Sequence, residues 1–223
     1  MIVIKVIFFD TETSGLDCRD CKIIELAMLT VEDEMIVEEY DEFVNIGEPI
    51  SHDIFKITGI SNEMLREKGL SEEVVANHLK ERLTPGTLMV AHNAQFDLSF
   101  VFHLLARHFP DEAYDIVDNV KWLDTLTVLK DRKEYPHTLK NGIEKYELPL
   151  VNFHRAIDDT RALYSLTLAM KNDRDDLKEY IGYFGYNPKY GVNGLRFPFI
   201  KYKPQPYRYT KEMVPSEKIL PKC

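Results

Sequence analysis

The sequence predicts a mixed α/β fold, a sheet with helices on its faces. Three features carry that prediction. Strand-like segments open the chain, helical segments then alternate with short apolar strands, and 44% of the 223 residues are hydrophobic, enough for one substantial core.

The first segment, Ile2 to Phe9, shows too little alternation for a half-exposed strand and is expected at the centre of the sheet. A loop with Gly15, Cys18 and Cys21 leads to KIIELAMLTV and then EMIVEEYDEFVNI, both rich in Ile, Val and aromatics. Glu32–Glu34 reads as the turn between them, which gives a three-stranded meander. Ser51–Lys56, Ser61–Glu67 and Ser71–Leu83 read as helices, each opening on a serine suited to an N-cap, the last closed by Pro85-Gly86. TLMVAH is a short buried strand. FDLSFVFHLLARHF is apolar all round and long enough for a buried helix. VKWLDTLTVL reads as strand then helix, TLKNGIEKYE as a helix, and DDTRALYSLTLAM as an amphipathic helix with Asp158 or Asp159 as its N-cap.

From Tyr186 the composition turns to Pro, Gly, Lys, Arg and aromatics without a lasting period. A domain over 1–185 with an irregularly packed or disordered extension over 186–223 is the expected division. From Asn187 onward, eight Lys and Arg face only Glu212 and Glu217, so the net charge of −9 belongs to the first part of the chain. An acidic chain is an unusual partner for nucleic acid, yet clustered acids that hold cations reverse the local sign.

No apolar run reaches the roughly 20 residues of a membrane helix, and no signal-peptide pattern opens the chain. Cys18, Cys21 and Cys223 are too few for a disulfide framework, and the expected compartment is cytoplasmic. Cys18-x-x-Cys21 has no second pair to complete a zinc site and is read as ordinary loop.

Three stretches carry chemistry. In FFDTETSGL, Asp10 and Glu12 are two apart at a strand end, where side chains i and i+2 share a face about 6.5–7 Å apart. Two carboxylates there repel unless one is neutralised or divalent cations sit between them; hard oxygen donors suit Mg²⁺ or Mn²⁺. The spacing equally fits a solvated strand end with a helix cap. In AHNAQFDLSF, Asp97 follows a core strand and opens a helix. An acid in a first helical turn is ordinary, but the carboxyl end of a strand is where α/β folds place ligands. In HRAIDDTRAL, His154 precedes Asp159 by five residues. A histidine titrating near neutrality suits proton abstraction from water, and a surface-loop role is the plain alternative. His103 and His108 lie on an apolar helix and read as packing or surface residues.

Together these stretches resemble the DEDDh family of 3′→5′ exonucleases, and within it the proofreading epsilon subunit of bacterial DNA polymerase III, over about Val3 to Met170. KITGIS (56–61) and WLDTLTVL (122–129) also resemble family segments beside the substrate groove. The resemblance implies an RNase H-like fold with a mixed five-stranded sheet. It implies two Mg²⁺ or Mn²⁺ ions held by Asp10, Glu12, Asp97 and Asp159, the family spacing selecting Asp159 over Asp158. One ion activates water, the other stabilises the leaving 3′-oxygen, and His154 accepts the proton. It further implies that Thr11, Glu12, Thr13, Asn93 and Phe96 hold the terminal nucleotide, with His92 lining the groove; Phe96 also fits as core filler.

The implied partner is a nucleic-acid 3′ end, DNA ahead of RNA, without a membrane. The extension is expected to pack, or to dock on a polymerase subunit or a second copy, in preference to binding substrate. Met1 and the natural-looking tail favour an autonomous domain over one cut from a polymerase. An exoribonuclease on short or structured RNA is the neighbouring alternative. An inactive adaptor is a third, disfavoured because no ligand of the set is missing.

Overall fold

The computed structural model describes residues 5–149 and 155–208. Strand β1 (Val6–Thr13) is central: it pairs antiparallel with β2 (Ile23–Glu32), which pairs antiparallel with β3 (Met35–Asn45). Asp33 and Glu34 turn β2 into β3 with both φ angles positive, +49° and +63°, the backbone twist that two-residue hairpins favour. The meander therefore forms where the Glu-Asp-Glu run indicates.

Beyond it come helices α1 (His52–Thr58) and α2 (Asn62–Lys68), strand β4 (Leu70–Ser71) and helix α3 (Glu72–Arg82). Ser51, Ser61 and Ser71 cap the three helices, each hydroxyl accepting the backbone N–H three residues on. Next are β5 (Leu88–Ala91), α4 (Ala94–His108), α5 (Ala113–Asp118), β6 (Lys121–Asp124), α6 (Thr125–Arg132), α7 (Leu139–Lys145) and α8 (Ala156–Asp173). The sheet order is β4-β3-β2-β1-β5-β6, with β5 parallel to β1 and β6 parallel to β5. The sheet thus has the five expected strands plus β4, a two-residue edge strand parallel to β3 that is too short to carry a periodic signal.

Alternation along β1 assigns its two faces. Ile7 and Phe9 pack with α3 and α4 on one side, around Leu79, Leu98 and Trp122. Phe8 packs on the other with Leu129, Ile143, Leu163 and Leu166 from α6, α7 and α8. Gly142 lets α7 lie close to α8: a Cβ there would sit 2.8 Å from Leu166 Cδ2.

The expected N-cap of α8 is overturned. Arg155, not Asp158 or Asp159, occupies the N-cap, and both acids stand in the first turn, where they favour the helix dipole. A partner from another strand takes over the capping, as described below.

After α8, a 3₁₀ turn (Leu177–Tyr180) leads to β7 (Tyr183–Tyr186), which pairs parallel with β8 (Lys201–Pro204). Phe197 and Ile200 are buried beside α4. Gly185 N–H donates to Thr127 Oγ1 at 2.7 Å and Gln205 Nε2 to the Thr127 carbonyl at 3.0 Å. The described part of the extension is therefore ordered against the core, and the residues after 208 lie outside the described ones. No helix among the described residues is long and apolar enough to cross a membrane.

Candidate active site

β1 outlasts its parallel neighbour. The β1–β5 ladder ends at Phe8↔Val90, whereas β1 continues beside β2 through Thr13. From Asp10 onward one edge of β1 is thus open, and the residues leading into α4 line the gap. Asp10 and Glu12 project from the α8 face; Thr11 projects from the other.

On the α8 side, carboxylate oxygens of Asp10, Glu12 and Asp159 lie within 4.8 Å of one another. Asp97 arrives from α4, and its Oδ1 accepts the Thr11 hydroxyl at 2.8 Å. All four acids line one cleft of about 420 Å³, with Phe96, His92 and Lys140 among its other walls. His154 lies outside the described residues.

The acids strain against one another. Burial holds the Asp10 carboxyl well above its usual range, and the charges of Asp97, Asp159 and Glu12 raise it further. Glu12 is pushed up to about 7, by burial first and then by Asp159 and Glu25, against the opposing Arg155. Asp97 is also pushed up to about 7 by burial, although the Thr11 hydroxyl favours its charged form. A desolvated set of hard oxygen donors that resist ionising together fits divalent cations, whose charge removes both penalties. The donor set therefore suits a metal, with Asp10, Glu12 and Asp159 as the first candidates to hold it.

The other expected residues are placed unevenly. His92 lines the cleft with both ring nitrogens engaged, Nδ1 with Thr125 Oγ1 at 3.0 Å and Nε2 with the His137 carbonyl at 2.9 Å. It braces the wall. Asn93 adopts a left-handed conformation, φ +72°, and lines a neighbouring cavity in place of this cleft. Phe96 borders the cleft and also packs on Phe100, ring centroids 4.8 Å apart. Thr13 is buried and donates to the Gly15 carbonyl at 2.6 Å, away from the cleft lining. Cys18 and Cys21 are free thiols and belong to no metal-ligand group among the described residues.

Two residues of the site went unnoticed in the sequence. Glu25 is fully buried directly across the ladder from Glu12, an arrangement that repels on its own. Its Oε1 accepts Arg155 Nε at 3.0 Å and its Oε2 accepts the Ala156 N–H at 3.1 Å. This is the missing cap of α8, the helix that carries Asp159. An acid in the middle of the apolar run KIIELAML was the available signal. Asp124, at the end of β6, accepts the N–H groups of Asn93 and Ala94 and those of Leu126 and Thr127. It fastens the starts of α4 and α6 together and so fixes where Asp97 lies.

Residues 7–167 match the RNase_T exonuclease family. The chain is 34% identical over 170 residues to the PolC-type DNA polymerase III of Caldanaerobacter subterraneus, covering 74% of this chain and 11% of that one. It is 31% identical over 193 residues to the PolC-type enzyme of Bacillus subtilis, covering 79% and 12%. The chain thus spans only about a tenth of the length of these relatives. Among solved structures it is similar to E. coli exonuclease I in a complex with single-stranded DNA, with a TM-score of 0.70, 19% identity, and 79% of this chain and 42% of that one covered. Exonuclease I from Methylocaldum szegediense gives a TM-score of 0.68 at 21% identity, covering 78% and 42%. Both structural likenesses concern the fold, and they agree with a sheet of RNase H-like type.

Proposed function

This chain belongs to the exonuclease family, and on that premise we propose that it releases nucleoside monophosphates from DNA 3′ ends in a metal-dependent, proofreading or repair role. The observation that carries the reading is the convergence of Asp10, Glu12 and Asp159 within 4.8 Å at the open edge of β1, with Asp97 in the same cleft. Catalysis is assigned to residues 1–185 and a supporting role to the extension over 186–223.

Two bound Mg²⁺ or Mn²⁺ ions would supply an activated water and charge neutralisation at the scissile phosphate and the leaving 3′-oxygen. The chain's own residues do the rest. Asp10, Glu12, Asp97 and Asp159 would hold the ions, and Thr11 orients Asp97 through its hydroxyl. His154 accepts a proton of the attacking water; the water oxygen bonds to phosphorus as the bond to the 3′-oxygen breaks, and the 3′-oxygen takes up a proton from solvent. Thr11, Glu12 and Phe96 receive the terminal nucleotide, Asn93 lines the neighbouring cavity, and His92 keeps the wall in place; Thr13 bonds the Gly15 carbonyl and takes no part.

Cations in the cleft reconcile substrate binding with the chain's acidity, because a strand end is gripped through phosphates and stacked bases at a locally positive point. Similarity to PolC-type polymerases supports a place beside a replicative polymerase, reached through docking on a polymerase subunit or a second copy. A 5′-labelled DNA oligonucleotide should shorten stepwise from its 3′ end with Mg²⁺ or Mn²⁺ and stay intact in EDTA. Matched RNA distinguishes the exoribonuclease alternative. An Asp10→Ala protein that still digests DNA at the wild-type rate sinks the reading.

A further inference from the structure

A second cavity, of about 540 Å³, adjoins the catalytic cleft and shares His92, Thr138 and Leu139 with it. One wall comes from the segment entering α7; the other is built by the extension, from β7 through Asn193 and again at Tyr202 and Tyr207. No carboxylate is among the described residues that line it, although the chain carries a net charge of −9. Its polar surface is amide, hydroxyl and imidazole, with Lys130 the cation. Five tyrosines line it: Tyr135, Tyr186, Tyr190, Tyr202 and Tyr207.

The wall is pre-built. Tyr202 Oη donates to Gln95 Oε1 at 2.9 Å and Gln95 Nε2 donates to the Leu195 carbonyl at 2.5 Å, which ties the extension to α4. At the rim, the N–H groups of Tyr190 and Gly191 both donate to the Asn187 carbonyl, at 3.0 and 2.9 Å. That turn presents the Tyr190 ring, 69% exposed, with Lys189 Nζ 5.2 Å from its centroid. An open aromatic face beside a cation is the pairing that unpaired nucleotides use, base on ring and phosphate on ammonium.

We propose that this groove binds unpaired nucleotides of the substrate strand beyond the terminal one, with a base stacked on Tyr190. The occupant follows from the groove's sharing His92, Thr138 and Leu139 with the catalytic cleft and from a lining, among the described residues, that is free of acids in an acidic chain. The proposal rests on the exonuclease reading for which strand enters. It assigns the extension a direct part in substrate binding, where composition had favoured packing or partner docking.

The test is equilibrium binding by fluorescence anisotropy, in EDTA, of labelled oligothymidylate and oligouridylate about twelve nucleotides long, to the full chain. Tyr190→Ala should weaken binding about ten-fold, the loss expected for one base–aromatic stack, and Tyr190→Phe should restore it. Both variants should keep the wild-type thermal midpoint. The tighter-binding oligomer identifies DNA or RNA as the source of the strand. Wild-type affinity in Tyr190→Ala, or no binding of either oligomer by the wild type, overturns the proposal. Tyr190-dependent binding without any Mg²⁺-dependent shortening leaves the groove standing and removes the exonuclease reading instead.

Discussion

Glu25 and Arg155 are joined across the fold: the fully buried Glu25 carboxylate accepts Arg155 Nε at 3.0 Å and Nη2 at 2.9 Å, and the same carboxylate caps the N–H of Ala156. Removing the acid leaves the start of α8 without its acceptor and leaves Arg155 with the more distant Asp41 carboxylate, 3.7 Å away. Glu25→Ala should therefore cost about 3 kcal/mol, read as a lowered urea midpoint with an unchanged slope. Because α8 carries Asp159, exonuclease activity should fall by more than the unfolded fraction accounts for. Equal stability in the variant contradicts the capping role.

The acid cluster sets how the metal-free protein responds to pH. The carboxyls of Asp10, Glu12 and Asp97 are raised in the folded state, the last two to about 7. Groups raised on folding contribute stability below their unfolded values, near 4, and lose it as pH rises through about 7. In EDTA the unfolding free energy should therefore decline between about pH 4.5 and 7.5, by an amount on the order of 2 kcal/mol after coupling among the acids is allowed for, read as a falling thermal midpoint. Millimolar Mg²⁺ should remove most of the decline. A flat profile in EDTA means that the acids are not desolvated together.

Neutralising one acid separates stability from activity. Asp10→Asn keeps the shape and removes a charge that its neighbours oppose, so the metal-free protein should gain about 1 kcal/mol at pH 8. The same change should reduce Mg²⁺-dependent nucleotide release by at least about a hundred-fold. Calorimetry in EDTA and a steady-state digest measure the two effects.

The Thr11 hydroxyl favours the charged form of Asp97 through the 2.8 Å hydrogen bond, against the burial that raises its carboxyl. Thr11→Val removes the donor without changing the shape, which should cost about 1.5 kcal/mol of that preference. The acidic limb of the pH–rate profile should move to higher pH by about one unit, while the alkaline limb stays. An unmoved acidic limb excludes Thr11 as the group that sets Asp97.

Asp124 accepts four backbone N–H groups and the Thr127 hydroxyl while almost wholly buried. Asp124→Ala leaves those donors unpaired in the interior and should destabilise the fold by about 3–5 kcal/mol. Hydrogen exchange should rise first at Asn93, Ala94 and Leu126. Uniform loss of protection instead points to global unfolding.

Much of this was legible from the residues themselves. The serine caps of α1 to α3 bond as their positions indicate, and the Asp33-Glu34 turn closes the meander, because both depend on neighbours within three residues. The carboxylates also announced themselves, since an acid ending an apolar strand conflicts with burial unless something compensates it. The cap of α8 was misread for the opposite reason: Asp158 and Asp159 have the right chemistry locally, but the acceptor that serves the helix sits 131 positions away.

The chain's periodicity and capping residues indicated most of the strands and helices of the sheet domain, and the resemblance of its three motifs to a known family indicated which acids meet at the end of β1. The tertiary structure decided how they are held: β1 running past β5 to open the cleft, Glu25 reaching α8, Asp124 joining two helix starts, and the extension folding back to wall a second groove. Hydrophobic period and capping act over a few residues and so are written locally. Which distant side chain answers a buried charge depends on sheet register and helix docking, and no short stretch of sequence records either.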